Sequence, residues 1–326
     1  MAKSKSFKTR FKTVFGFLKE VMSDFMDDKV LKYSASLSYY TVFSIAPILI
    51  IIISIAGLFF GREAVTGQIF GQIKGLVGAD AAAQIQAMIA NTHRSGNTVL
   101  ASIISVIVLV FGATGIFGEI QDSINSIWGL KSKPKTGILK VVINRLISFS
   151  LIISLGFVSM VALLLNAIVD VISTRLGQIF PGAGVYFVQV TNYVLSFIII
   201  TFMFAVIFKV LPDAKIKWRD VIRGAMLTAV LFIIGRYLIG LYIGQSNVAS
   251  VYGTAGSIVV ILVWVYYTAV ILYFGAEFTK IYSIKYGSKI MPNDYAVWIK
   301  LKEEEQPNKP LDEVKKDETA TTVKNP

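Results

Sequence analysis

Six stretches of predominantly apolar sequence, near 37–60, 98–119, 141–169, 186–209, 221–243 and 256–279, dominate this chain of 326 residues. About 20 such residues in a helix cross the roughly 30 Å of hydrocarbon in a bilayer. In hydrocarbon every backbone polar group must be satisfied within the protein, so runs of this length imply helices. The composition agrees, with 55% hydrophobic residues and a mean hydropathy of +0.66. The expected fold is all-α: a polytopic integral membrane protein with six transmembrane helices. The third run is overlong, which points to tilt or to a helix continuing past the bilayer.

Charge predicts the orientation. Lys and Arg number eight in the N-terminal segment, five in 128–145, five in 209–223 and nine in the C-terminal segment. The other side holds only Arg62, Lys74, Arg94 and Arg175, while Arg236 sits inside a run. Positive residues are retained on the cytoplasmic side, so 27 against four places both termini in the cytoplasm. The net charge of +12 does not by itself mark a nucleic-acid binder, because these residues flank the spans instead of forming one aromatic-rich basic face. With no cysteine, disulfides, thiolate nucleophiles and Cys-ligated zinc are excluded. The lysine-rich start leads into mixed sequence and not a cleavable signal, leaving the first span as the expected targeting element.

Residues 1–33 are read as a cytoplasmic amphipathic segment, with Phe7, Phe11, Val14, Phe15, Leu18, Val21, Met22 and Phe25 at helical spacing. Such a helix either lies in the headgroup layer or docks on the bundle. The membrane domain is expected over 34–287, with 62–97 as an external amphipathic loop. The charged, Pro- and Thr-containing end, 288–326, is expected to be disordered.

The first run is half polar. Ser34-Ala-Ser-Leu-Ser-Tyr-Tyr-Thr-Val-Phe-Ser44 leads through Pro47 into Ile48–Ile53. A period of 3.6 residues places Ser34, Ser38 and Thr41 in one stripe. Pro47 removes a backbone donor and favours a kink. These hydroxyls either pack within the bundle or line a wet cavity, together with Tyr266 and Tyr273 of the last run. Glu119 and Asp122 share an arc of about 80° with Gly112, Gly115 and Ser126, and Glu277 shares a face of about 40° with Tyr266 and Tyr273. Arg145 and Arg223 are the candidate partners of Glu119 and Glu277 by depth, forming a cytoplasmic-side charge cluster. Arg236, roughly 20 Å further out than Arg223, is a candidate outer-half anion contact.

The sole histidine, His93, lies in the 62–97 connection, and no P-loop, nucleophile elbow or metal-ligand spacing is present. No catalytic, cofactor or metal residues are expected.

Several segments in order resemble the YihY/virulence factor BrkB family. They are Ala35-Ser-Leu-Ser-Tyr-Tyr-Thr-Val-Phe-Ser-Ile-Ala-Pro47, Ile124-Asn-Ser-Ile-Trp128, Leu211-Pro-Asp213, Trp218-Arg219 and Gly224-Ala225, followed by Tyr252-Gly-Thr-Ala-Gly256, Leu262-Val-Trp-Val-Tyr-Tyr267 and Gly275-Ala-Glu277. The resemblance covers roughly 15–285. It implies a six-helix bacterial inner-membrane protein whose family carried an old ribonuclease BN label. The residues here offer no nuclease constellation to support that label. The expected partners are membrane lipids and, alternatively, an envelope protein for which the chain is a scaffold. Nucleic acid is not expected, and the sequence is silent on oligomeric state.

Overall fold

The computed structural model describes residues 7–77, 79, 82–87, 112, 115–132, 183–245 and 256–299. Its helices are α1 (Phe7–Asp27), α2 (Val30–Phe60), α3 (Arg62–Val77), α4 (residues 115–127), α5 (Ala183–Val210), α6 (Trp218–Gln245) and α7 (Gly256–Tyr286). Residues 82–87 form a further short helical stretch. Three of these helices contain segments long and apolar enough to cross a membrane: Val190–Val210, Trp218–Leu241 and Ile258–Tyr286. The first run falls within α2, and the C-terminal end of the second falls in α4. The third run, 141–169, lies outside the described residues.

α7 is the central element, packed against α2 and α6, with α5 on the far side of α6. Why α6 and α7 approach so closely is written in two glycines. A Cβ on Gly224 would overlap the Thr279 hydroxyl, and one on Gly275 would overlap that of Thr228. The two contacts are reciprocal across antiparallel helices, each glycine making room for the opposing threonine. Both threonines satisfy their hydroxyls on their own helix, Thr228 on the Gly224 carbonyl at 2.8 Å and Thr279 on the Gly275 carbonyl at 2.7 Å. Neither therefore brings an unsatisfied polar group into the interface. Ala225, Ala229 and Ala276, each next in sequence to a residue of this seam, are fully buried.

α1 ends at a turn in which Lys29 takes a left-handed conformation, φ 54°, and α2 starts one residue later. The turn lays α1 beside the end of α7. The contacts Glu20 with Lys285, Asp24 with Lys280 and Phe25 with Phe274 step in opposite directions along the two helices. α1 buries Phe17, Val21 and Phe25, so of the two arrangements open for the N-terminal segment it adopts the docked one.

Two short antiparallel pairings complete the fold. β1 (Leu130–Ser132) pairs with β4 (Ala296–Trp298), and β2 (Ala214–Lys215) pairs with β3 (Met291–Pro292). The expectation of disorder from 288 onward is therefore corrected for 291–298. This segment, Met-Pro-Asn-Asp-Tyr-Ala-Val-Trp, gains order by pairing with distant strands that follow α4 and α5, a non-local effect. Residues 300–326 lie outside the described residues.

The α6 and α7 seam yields a mutational test. Gly275→Leu should destabilise the detergent-purified protein by about 1–3 kcal/mol through overpacking, read as a lowered thermal midpoint. Gly240→Ala, where an added Cβ meets nothing within 4 Å, should leave the midpoint unchanged or raised. Equal behaviour of the two variants would show that the seam does not hold the helices together.

Candidate functional site

The hydroxyl stripe of α2 is turned inward onto its own helix. Ser34 donates to the Val30 carbonyl at 2.9 Å, Ser38 to the Ser34 carbonyl at 2.8 Å and Thr41 to the Leu37 carbonyl at 2.7 Å. Ser34 and Ser38 are buried and Thr41 is half-buried. Each hydroxyl thus has an acceptor without water, the geometry of a packed face. α2 continues as helix through Pro47. The two tyrosines grouped with this stripe part company: Tyr266 is exposed and Tyr273 is wholly buried. Ser123, Glu119 and Asp122 of α4 and Tyr33 of α2 lie near the Tyr273 hydroxyl. Tyr33 in turn meets Ser126 of α4 at 2.6 Å. α2, α4 and α7 therefore meet around a shared polar interior.

The charged residues are distributed differently from their depths alone. Glu277 is fully buried, and its Oε1 accepts from Lys280 Nζ at 2.8 Å. Lys280 also donates to Asp28 at 2.9 Å and lies 3.7 Å from Asp24, so the next turn of α7 and α1 supply the partners. The second Glu277 oxygen, Oε2, is buried without a hydrogen-bond partner among the described residues. Arg223 is turned to Tyr282, bonding its hydroxyl at 2.6 Å and lying 5.2 Å from its ring centre, with Asp220 at 3.9 Å. Glu119 is half-buried and Asp122 exposed, both on α4 near Tyr273. Arg145 lies outside the described residues. Arg236 is exposed on α6 between Ile234 and Tyr237, themselves exposed.

Sequence reasoning missed Lys280, Asp24 and Asp28. The available signal was spacing: residues three apart on a helix are neighbours, which makes Lys280 the nearest cation to Glu277. It also missed a buried clasp between α4 and the turn before β2. Asp213 accepts from Gln121 at 3.0 Å and from the Asn125 amide at 3.1 Å, while its backbone N–H donates to the Asn125 side-chain carbonyl at 2.8 Å. Three residues on, the Trp128 indole donates to the Ala276 carbonyl at 3.0 Å. Buried carboxylates and indoles need such partners, which ties α4 to both neighbours.

A cavity of about 300 Å³ opens elsewhere, between α2, residues 82–87 and α7. Val42, Ile45, Ile85, Ala87, Ile258 and Ile261 line it, with Gln84 as its polar member. Val42 follows Thr41 directly, so the cavity begins where the hydroxyl stripe stops. Among the described residues no group of three or more His, Asp or Glu is placed to hold a metal.

The virulence factor BrkB family model matches residues 21–294, and the chain belongs to that family of membrane proteins. It is 26% identical to the ribonuclease-like protein YfkH of Bacillus subtilis, over 80% of this chain and 93% of that protein. A UPF0761 membrane protein of Psychromonas ingrahamii is also 26% identical, over 83% of this chain and 88% of its own length. For a UPF0761 membrane protein of Stenotrophomonas maltophilia the values are 24%, 78% and 57%, so this chain spans little more than half of that relative. No solved structure matches the chain.

Lys280→Met should strand the buried Glu277 carboxylate and cost roughly 3 kcal/mol, toward the low end for a broken buried pair because Lys280 keeps some contact with water. The double variant Lys280→Met with Glu277→Gln should recover much of that loss. Thermal unfolding in detergent distinguishes the outcomes: a single variant as stable as the parent would show that the pair does not hold α1 and α7.

Proposed function

We propose that this chain is a six-span protein of the bacterial inner membrane, with both termini cytoplasmic, which moves or holds a lipid or similar amphiphile without catalysing a reaction. The observation that carries the reading is the apolar cavity between α2, residues 82–87 and α7. Cavities lined this way stay dry and accept apolar ligands, and in a bilayer the ligand at hand is an acyl chain. The route runs past Val42, Ile45 and Ile261, beyond the hydroxyl stripe, whose members already have acceptors. The sequence contains no ATP-binding motif, so the driving force is a gradient, a partner protein or the lipid's own gradient.

A second reading, a scaffold for an envelope protein, is favoured by one observation on α1. The face opposite its docked side leaves Phe15, Met22 and Met26 exposed at 63%, 54% and 58%. A photocrosslinker at Leu18 would then trap one stable protein partner in intact cells, and labelling of lipid alone would remove this reading. Ribonuclease activity, present in the name of one relative, is the least supported of the three.

Lipid movement is measured with the purified chain in vesicles carrying a fluorescent phospholipid, with and without a pH gradient. The parent should accelerate exchange, Ile261→Trp should return it towards background by filling the cavity, and Ser38→Ala should leave it unchanged. No acceleration by the parent under either condition would end the transport reading.

A further inference from the structure

Two exposed aromatic residues from separate helices end at one level of the molecule, and a third is carried on the strands beside them. Trp218 opens α6 six residues before Gly224, about 9 Å along the axis. Tyr286 closes α7 seven residues after Thr279, about 10 Å along the axis. Since Gly224 and Thr279 touch, Trp218 and Tyr286 lie at matching depth. Trp298 is carried close by on the strands: β3, which precedes it, pairs with Ala214 and Lys215, three residues before Trp218. It pairs with Leu130, two residues after Trp128, whose indole is bonded to the α7 backbone at Ala276. The three are exposed at 47%, 54% and 48%.

Basic side chains flank these rings. Lys217 and Arg219 bracket Trp218, and Lys131 sits opposite Val297 in the strand pair that carries Trp298, all three exposed. Nearby Lys215 and Lys285 are already paired, with Asp294 and Glu20. The one acid of the α6 first turn, Asp220, is buried and accepts from the Ser288 N–H at 2.9 Å and its hydroxyl at 2.7 Å. Its charge is thus drawn inward and away from the rim.

We propose that this rim is a binding surface for anionic phospholipid headgroups, with Trp218, Tyr286 and Trp298 seated at the boundary of headgroups and acyl chains and Lys131, Lys217 and Arg219 meeting phosphate. Indole and phenol rings suit that boundary because one edge is polar and the body apolar. Lysine and guanidinium groups supply the complementary charge, and Arg219 can meet two phosphate oxygens at once. The surface concerns the lipid surrounding the protein and does not depend on the cavity or on transport.

The test uses the full chain in nanodiscs of phosphatidylcholine and phosphatidylglycerol at a ratio of about 7:3, with retained lipids counted by native mass spectrometry. The parent should retain phosphatidylglycerol in preference, and Lys131→Gln, Lys217→Gln and Arg219→Gln should each lower that preference by up to about fivefold. Equal retention of both lipids by the parent, or an unchanged preference in the triple variant with native helix content, would overturn the proposal. A second measurement is independent of variant folding: brominated phosphatidylglycerol should quench the parent's tryptophan fluorescence more than brominated phosphatidylcholine does. Identical quenching would also refute it.

Discussion

The close contact of α6 with α7 sets the position of almost everything else. Gly224 facing Thr279 and Gly275 facing Thr228 lock the two helices in a single antiparallel register. Towards the end of α7, that register brings Asp220 against Gly287 and Ser288; in the other direction it brings Gly235 against Tyr267. In hydrocarbon, burial of apolar side chains offers little drive for association because lipid tails are equally apolar. Close packing of small residues is what remains, and it works here because both threonine hydroxyls are satisfied within their own helices. A larger residue at either glycine would separate the helices over several turns, disturbing the Asp220 contacts as well.

Once α7 is fixed, its polar groups take partners from two directions. α4 supplies Trp128 to the Ala276 carbonyl, and α1 supplies Asp24 and Asp28 to Lys280. The last of these explains why α1 docks at all. A buried Glu277 carboxylate is stabilised by a cation against it, and Lys280 stays in place more firmly when a further carboxylate holds another of its donors. Asp24 and Asp28 keep about a third of their side chains in water, at 38% and 34% exposure, which limits the desolvation cost of gathering three acids around one lysine. Aromatic contacts of Phe17 with Phe278 and Phe25 with Phe274 then close the helix pair.

The apolar runs that became α5, α6 and α7 were legible because a membrane span needs a length of hydrophobic sequence that few other structures require. Helix ends were less so. α7 continues to Tyr286, past the predicted limit of 279, and its added turns pack against α1 through Lys280, Lys285 and Tyr286. Depth along the chain suggested Arg223 for Glu277, yet the direction of a side chain around the helix decides between partners at similar depth. Arg223 points to Tyr282 and leaves Glu277 to Lys280. The Asn125 and Asp213 clasp joins residues 88 apart, and β4 joins Trp298 to Leu130, so neither has a local pattern to read. Both halves of the clasp were nevertheless visible as family-like segments, without an indication that they touch.

The polar half of α2 has its clearest explanation in this packing. Serine and threonine are small enough to let α2 lie against α4 and α7, and their bonds to carbonyls four residues back remove the need for water. Such a face binds helices well and is poorly suited to passing a headgroup, because opening it would expose no donor that is not already engaged. Beyond Ser44 the same helix turns apolar, and around this change the neighbouring elements leave space between Val42, Ile45 and Ile261. Under the proposed function, the two halves of α2 divide the work: the hydroxyl half keeps the bundle closed, and the aliphatic half borders the chamber that takes an acyl chain. A lipid would then enter sideways between helices with its headgroup outside the polar core, and because that core stays closed the transfer would not disturb the Glu277 pair.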